Sequence, residues 1–255
     1  MSRGTAFVRQ PSSRLAEGLI TYLARTPVDL ERARAQHAAY CAALGETGWQ
    51  VQEVEPADSC PDSVFIEDAM VVCDRLAVIT RPGAPTRLAE TAGAEAAARA
   101  AGLDVVRIQE PGTLDGGDVL QAGATVYVGR GGRSNAEGIC QLQMHVEPLG
   151  RQVVPVGLRG VLHLKSAMTA LPDGTLIAAP DYLDTSALPT VRAVDEESGC
   201  HVVPLGEDLV LLAASAPRTA GMLRGLGFTP VVVDISEFEK LEGCVTCLCV
   251  LASTG

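Results

Sequence analysis

An α/β fold assembled from a repeated hairpin–helix–strand unit is predicted by three observations. Apolar strand pairs split by a turn recur along the chain, at residues 70–80 and again at 119–128. Each pair is followed by a helical stretch and then by a short β-branched strand. Three junctions between strand and helix are alike, each an Arg-bearing turn: Thr80-Arg81-Pro82-Gly83, Gly129-Arg130-Gly131-Gly132-Arg133-Ser134-Asn135 and Ala214-Ser215-Ala216-Pro217-Arg218. The unit returns about every 45–50 residues, so about five units fit. No unit covers both faces of its own sheet, so the units should share a core, arranged as a ring whose end loops meet at one centre.

Taken in order, residues 30–44 read as a helix with Asp29 as N-cap and with Ala33, His37, Ala38 and Cys41 on one face. Residues 49–54 alternate as a strand. In 70–80, Met70-Val71-Val72 and Leu76-Ala77-Val78-Ile79 flank Asp74-Arg75 as a hairpin. An alanine-rich helix over 89–101 and a strand over 105–108 complete that unit. Next come strands at 119–120 and 126–128 around Ala122-Gly123-Ala124, a helix from about Asn135 and a strand at 153–156. A strand at 209–214, a helix at 218–226 and a strand at 231–233 form a later unit. Residues 180–185 read as a loop, and no linker interrupts the chain. Residues 245–251, β-branched and apolar, read as a terminal strand.

The hydrophobic fraction of 47% supplies a sizeable core, and the aromatic fraction of 4% means that Ala, Val and Leu build it. A net charge of -11 argues against non-specific nucleic-acid binding and against docking on anionic membranes, and favours a cationic small molecule. No apolar run approaches the roughly 18 residues of a membrane span. The N-terminus lacks the apolar centre of a signal peptide, so a cytoplasmic location with reduced thiols is expected. Cys41, Cys60, Cys73, Cys140 and Cys200 lie scattered among apolar neighbours and read as small core residues.

Four groups carry potential chemistry. Gly243-Cys244-Val245-Thr246-Cys247-Leu248-Cys249 offers a nucleophile, a metal ligand or a redox pair. A zinc site wants a second ligand pair that the chain does not provide, and a thioredoxin-type pair would open a helix, whereas this stretch reads as strand. A cysteine nucleophile needs a base. Of the four histidines, His37 falls in a helix pattern, His145 and His201 carry no signal, and His163 interrupts the apolar strand Val161-Leu162-His163-Leu164. In Leu114-Asp115-Gly116-Gly117-Asp118 two acids flank two glycines, either as a turn or as a close backbone approach to a ligand. Finally, Pro61-Asp62-Ser63-Val64-Phe65-Ile66-Glu67-Asp68 sets three carboxylates in an apolar segment. If extended, it places Asp62 and Asp68 on one face and Glu67 on the other. Buried carboxylates need a cationic ligand, an arginine or a metal. A divalent ion is the rival use of Asp62, Glu67, Asp68, Asp115 and Asp118.

Together with Ile79-Thr80-Arg81-Pro82-Gly83, Arg133-Ser134-Asn135, Leu162-His163-Leu164-Lys165-Ser166 and Thr246-Cys247, these strings resemble the dimethylarginine dimethylaminohydrolase family of the guanidine-modifying superfamily. They run in family order over nearly the whole chain. The resemblance implies a pseudo-five-fold α/β propeller, a single catalytic domain over 1–255, around a central active site. It implies hydrolysis of methylated arginines to citrulline and a methylamine, with no cofactor and no metal. It implies Cys247 as nucleophile, His163 as general acid and base, and Asp115 as the carboxylate holding guanidinium and His163. Glu67 and Asp68 would line the guanidinium end and Asp62 the amino-acid end, while Arg81 and Arg133 would clamp the α-carboxylate. Backbone near Leu19 and Leu241 would receive the α-amino group, the Leu19 loop acting as a lid. Monomer and homodimer both stay open. Cys244 and Cys249 beside Cys247 make inhibitory zinc or oxidation an expected liability. The rivals are an arginine deiminase, whose family members carry an extra helical insertion that 255 residues do not accommodate, and a non-enzymatic zinc or redox protein.

Overall fold

A computed structural model describes residues 3–253. It contains five three-stranded sheets arranged as a pseudo-five-fold α/β propeller. The second blade shows the rule. Strand β3 (Met70–Cys73) runs antiparallel to β4 (Leu76–Ile79), and β5 (Asp104–Arg107) runs parallel to β4 after the crossover helix α2 (Thr91–Ala100). A parallel partner needs such a crossover because a tight turn can only reverse the chain. The third blade repeats this with β6 (Val119–Ala122), β7 (Thr125–Arg130), α3 (Ala136–Val146) and β8 (Gln152–Gly157). The fifth does so with β12 (Val202–Pro204), β13 (Leu209–Ala213), α4 (Pro217–Gly225) and β14 (Thr229–Val233).

Two blades depart from the rule in instructive ways. In the fourth, β9 (Met168–Ala170), β10 (Leu176–Ala178) and β11 (Arg192–Ala193) keep the pairing, but 3-10 turns at Pro180–Tyr182 and Thr185–Ala187 replace the helix. The first blade draws on both ends of the chain. Strand β1 (Gly4–Val8) leads through α1 (Leu30–Glu46) to β2 (Gln50–Glu53), and its antiparallel partner is β15 (Val250–Ser253). Closing the ring in this way carries the cysteine-rich segment just ahead of β15 into the centre.

Every residue of β3 and β9 is buried. The outer strands β2 and β5 instead begin and end in exposed polar residues, as in Asp-Val-Val-Arg of β5. Small side chains let the helices approach closely: α2 buries Ala94, Ala97 and Ala98 against a cluster that includes Ala77 and Ile79. Four of the nine aromatics, Tyr40, Trp49, Phe65 and Phe238, share one cluster with the cysteine segment. Phe65 and Phe238 meet edge to face at 6.3 Å, and a Cβ on Gly243 would strike the Phe65 ring at 2.3 Å. That collision is why glycine precedes Cys244.

The expected elements recur with local differences. Asp29 caps α1, accepting from Arg32 N at 3.1 Å, and Asn135 caps α3, accepting from Gly138 N at 2.8 Å. The buried stripe of α1 is Ala33, Gln36, His37, Tyr40 and Leu44, while Ala38 faces solvent. Residues 161–166 are not a strand: His163 is extended and Leu164–Ser166 turns as a 3-10 helix. In the stretch 245–251 only the end is strand, because Val245–Leu248 forms a 3-10 turn before β15. Glu67 and Asp68 also sit on a 3-10 turn, Ile66–Ala69, so the extended geometry expected there does not hold. In each case a hydrogen-bonded turn at the ring's centre overrides β propensity. No helix among the described residues is long and apolar enough to cross a membrane.

Candidate active site

The loop between β2 and β3 carries the acidic residues inward. Buried Arg9 pins this loop by donating to the carbonyls of Glu55 at 3.0 Å, Ser63 at 3.4 Å and Glu90 at 2.9 Å. The Ile66–Ala69 turn then sends neighbouring carboxylates in different directions. Asp68 Oδ2 accepts from Arg87 Nη1 at 2.5 Å, and its Oδ1 accepts from Gly117 N at 2.9 Å. Glu67 Oε1 accepts from Lys165 Nζ at 2.5 Å, and Oε2 from Thr246 Oγ1 at 3.0 Å.

The two glycines after Asp115 are required by close approach. A Cβ on Gly116 would lie 1.9 Å from the Glu67 carbonyl oxygen, and one on Gly117 would lie 2.6 Å from His163 Nδ1 and 2.8 Å from Asp68 Oδ1. Their absence of side chains lets the imidazole sit against Asp68 and Asp115. His163 Nε2 is 3.0 Å from Asp115 Oδ2 and 3.8 Å from Asp68 Oδ1. Asp115 is fully enclosed, and its other oxygen accepts from Gly83 N at 2.7 Å. Asp118 holds the same assembly from behind: it accepts from Leu164 N at 3.0 Å and from Ser134 Oγ at 2.6 Å, and that hydroxyl accepts from Asp115 N at 3.1 Å.

Cys247 enters on the 3-10 turn. Its N–H closes the turn onto Cys244 O at 3.1 Å, and its Sγ accepts from Cys244 N at 3.4 Å. The two sulfurs are 3.2 Å apart. Cys249 points elsewhere, with Tyr40 Oη donating to its Sγ at 3.1 Å.

Cys247, His163, Asp68, Asp62, Arg87, Arg133, Leu19 and Leu241 line one small cavity. Its free volume is about 20 Å³, room for about one water molecule. The segment over it is tied down at both ends. Leu19 N donates to Asp62 Oδ1 at 2.9 Å, and the Glu242 carboxylate accepts from the N–H groups of Thr21, Tyr22 and Leu23. A larger cavity of about 260 Å³, lined by Tyr22, His201 and Glu239, lacks a cysteine.

Charge is distributed unevenly here. Burial pushes Glu67 up to about 7 against the pull of Lys165, and Asp118 up to about 6 against the pull of His163. Burial acts on Asp68 in the same sense, but His163 and Arg87 together outweigh it and bring this carboxyl down to about 2. Burial disfavours the His163 imidazolium, yet Asp68, the hydrogen bond to Asp115 and the charge of Asp118 raise it to about 10. The site therefore holds an imidazolium at neutral pH. The contact with Cys244, then burial, then the Glu67 and Asp68 charges hold the Cys247 thiol protonated. Cys244, stabilised by the hydrogen bond from Cys247, ionises more easily.

Most of the expected residues converge on this cavity or directly behind it. Two do not. Arg81 leans away, with Nη2 3.5 Å from Glu110 Oε2 and Nη1 3.5 Å from Gly112 O. Its turn contributes the Gly83 N–H instead, and Gly83 packs so closely that a Cβ would lie 2.3 Å from Arg133 O. The second cation at the cavity is Arg87, buried on a 3-10 turn and bonded also to Glu90. Glu67 likewise faces away from the cavity, into a separate cleft that it lines with Lys165, Thr246 and Cys249. Sequence reasoning missed Arg87 and weighed Asp118 only as a ligand of a divalent ion, not as the support of the His163 segment. An Arg–Glu spacing of three residues, as in Arg87 and Glu90, was the available signal, although it usually marks a surface pair.

Asp68, Asp115 and His163 also present ligand atoms within 4.8 Å of one another, the spacing of a cation site. Arg87 and the Gly117 and Gly83 N–H groups already occupy much of that carboxylate capacity. Arg133 Nη1 stands 3.7 Å from Asp115 Oδ2. Hydrogen-bond donors and guanidinium groups thus supply the positive charge these acids need.

No family model matches the chain. Over 246 residues it is 59% identical to the N(G),N(G)-dimethylarginine dimethylaminohydrolase of Streptomyces coelicolor, covering 96% of this chain and 95% of that relative. Among solved structures it is similar to an adduct of dimethylarginine dimethylaminohydrolase with S-methyl-L-thiocitrulline, a variant with one histidine replaced by glycine. The TM-score is 0.91 at 31% identity, over 97% of this chain and 99% of that one. A cysteine-to-serine variant of the Pseudomonas aeruginosa protein, complexed with citrulline, gives a TM-score of 0.89 at 31% identity over 98% and 100% of the two chains. With this identity along nearly its whole length, the chain belongs to the dimethylarginine dimethylaminohydrolase family.

Proposed function

We propose that this chain hydrolyses Nω-methylated L-arginines, both dimethyl- and monomethylarginine, to L-citrulline and the corresponding methylamine, with Cys247 as nucleophile. The observation that carries the reading is the shared cavity: the Cys247 thiol, the His163 imidazolium, the Asp68 and Asp62 carboxylates and the Arg133 guanidinium line it together. That spread of charge complements an amino acid with a cationic side chain.

A guanidinium carbon resists attack because three nitrogens share its charge. Asp68, with its carboxylate held ionised, orients the group and localises that charge. The incoming cation also changes the local field: it offsets the carboxylates that keep Cys247 protonated and lowers the thiol's resistance to ionisation. The thiol gives its proton to solvent water, and the thiolate forms a bond to the guanidinium carbon. His163 gives its proton to the methylated nitrogen, the C–N bond breaks, and neutral amine leaves a covalent thiouronium. The neutral imidazole next takes a proton from water, whose oxygen attacks the same carbon. Breaking the C–S bond releases citrulline and regenerates the sulfur. Asp115 keeps the imidazole oriented through both halves, and Asp118 keeps the backbone at Leu164 in place.

Arg133 is the guanidinium available for the substrate carboxylate, with Arg87 behind it lending charge while its own donors hold Asp68 and Glu90. Asp62, whose carboxyl burial pushes up, sits between the lid and the amino-acid end. Room for one water does not admit arginine, so the segment held by Asp62 and Glu242 must release before substrate enters. Segments from Leu19 to Cys247 line one cavity, which supports a single catalytic domain over 1–255. The eight free cysteines suit the reducing cytoplasm.

The test is citrulline formation from dimethylarginine, monomethylarginine and arginine, by the wild type and by Cys247→Ser and Cys249→Ser. Turnover of the methylated substrates, lost by more than about 1000-fold in Cys247→Ser and kept within a few-fold in Cys249→Ser, is expected. Preference for unmethylated arginine would instead identify a deiminase, and retention of activity in Cys247→Ser would remove this cysteine from the chemistry.

A further inference from the structure

Cys244 is the closest side chain to the proposed nucleophile, and the chemistry above does not use it. Its Sγ stands 3.2 Å from Cys247 Sγ, and both residues are buried on the same closed turn. The turn's hydrogen bond from Cys247 N to Cys244 O keeps the two Cα atoms within about 7 Å. That lies in the range a disulfide spans, so bonding needs the sulfurs to close by about 1 Å without the chain moving far. We propose that Cys244 and Cys247 are a redox-modification site: a peroxide converts them to a reversible disulfide that withdraws the sulfur from catalysis.

The chemistry balances with one peroxide. One of the two sulfurs, as thiolate, attacks a peroxide oxygen; the O–O bond breaks, and a sulfenic acid and water form. The other sulfur attacks the sulfenic sulfur, forming the S–S bond and releasing a second water. Two thiols lose two electrons, and the peroxide is reduced. Cys244 ionises more easily than an ordinary thiol because Cys247 donates to it, which supplies the first thiolate. The cavity lined by Cys247 holds about one water molecule, so hydrogen peroxide reaches the pair when the segment over it releases, as it must for substrate. A dithiol reverses the modification, while a lone Cys247 sulfenic acid would be open to further, irreversible oxidation.

Cys249 is a control built into the same segment. Its sulfur is engaged by Tyr40, burial pushes its thiol up to about 12, and it faces the Glu67 cleft. It should stay reduced while its two neighbours pair.

The inference rests on Cys247 being the nucleophile only for its effect on activity, so the experiment reads the bond and the activity separately. Wild-type protein and Cys244→Ser are treated with one equivalent of hydrogen peroxide, then mapped by non-reducing peptide mass spectrometry and assayed for citrulline. For the wild type, a cross-linked Cys244–Cys247 peptide lighter by about 2 Da is expected, with more than about tenfold loss of turnover restored by dithiothreitol. Cys244→Ser should instead gain about 16 or 32 Da at Cys247, and dithiothreitol should not restore the doubly oxidised fraction. Oxygen added at Cys247 of the wild type with Cys244 left free, or a disulfide involving Cys249, overturns the proposal. The wild-type map decides this even if Cys244→Ser does not fold. A cross-link that forms in protein without methylarginine turnover would instead count against the proposed function and leave the pairing intact.

Discussion

Glu67 and Asp68 are adjacent in sequence, equally buried and equally acidic, yet they end in opposite states. Glu67 is raised to about 7 and Asp68 lowered to about 2. Burial acts on both in the same direction, so the difference lies in their partners. Glu67 meets one ammonium, Lys165, and one hydroxyl, Thr246, in a cleft that it shares with Cys249. Asp68 meets two cations, Arg87 and His163, and a backbone N–H. The 3-10 turn beneath them makes this possible, because its three-residue repeat sends consecutive side chains about a third of a turn apart. One acid thus supports the cysteine turn from behind while the other forms the reactive wall of the cavity.

The largest effect on this contrast should come from Asp68→Asn. It strips a paired carboxylate from Arg87 and His163 and leaves buried charge uncompensated, at a cost of about 3–5 kcal/mol in stability. Turnover should vanish, and the pH dependence of folding should change shape. His163 is raised from 6.5 to about 10, so its contribution is complete below pH 6.5 and is lost as pH rises through about 10. Chemical denaturation between pH 6.5 and 10 should show stability falling in the wild type and a shallower fall in Asp68→Asn, where Asp115 and Asp118 still favour the imidazolium. An equally steep decline in the variant would show that Asp68 does not hold the imidazolium.

Glu67→Gln should be far milder. A group raised from 4.5 to about 7 is half protonated near neutrality, and Gln reproduces the protonated form's size and its acceptor for Thr246. The folded state binds a proton more tightly than the unfolded one, so Glu67 lends stability below pH 4.5 that is lost as pH rises through about 7. Denaturation across that window should therefore show a shallower decline in Glu67→Gln, with citrulline formation kept within about tenfold. Loss of turnover as complete as in Asp68→Asn would place Glu67 in the reactive wall after all.

How far the sequence revealed this contrast can be judged from the same residues. The carboxylates, the glycine pair and His163 were legible because each breaks the pattern around it: acids in an apolar run, glycines before a strand, a polar residue in an apolar one; Cys247 was set apart from Cys244 and Cys249 only by the family resemblance. The direction each side chain takes was not, because local backbone decides it. Three short 3-10 turns, at 66–69, 164–166 and 245–248, lie where alternation and β-branching suggested extended chain. The arginines show the same limit. Arg81 follows a strand at a repeated junction and looks like a ligand, but it turns to Glu110; Arg87, in what read as the approach to a helix, is the one that reaches Asp68. The missing helix of the fourth blade could not be read from a segment that carried only loop signals. The repeat itself was visible because the hairpin and outer strand persist from the second blade to the fifth.

The arginines provide the smallest predicted difference, and it sharpens the picture of the cavity's far end. Arg133→Ala should raise KM about ten- to a hundredfold with a lesser change in kcat, since it removes a charge-assisted contact to the substrate carboxylate. Arg81→Ala should stay within about threefold on both, its partners being an exposed glutamate and a carbonyl. Steady-state kinetics on both variants checks this, and a KM effect confined to Arg81→Ala would reverse the assignment.

The central claim is that the sulfur of Cys247, and not a neighbouring one, attacks the guanidinium carbon. Rapid acid quench of the enzyme turning over dimethylarginine, followed by peptide mass spectrometry, tests this most directly. A substrate-derived thiouronium on Cys247 is predicted. The same adduct on Cys244 or Cys249, or citrulline formed with no adduct on any cysteine, would contradict it.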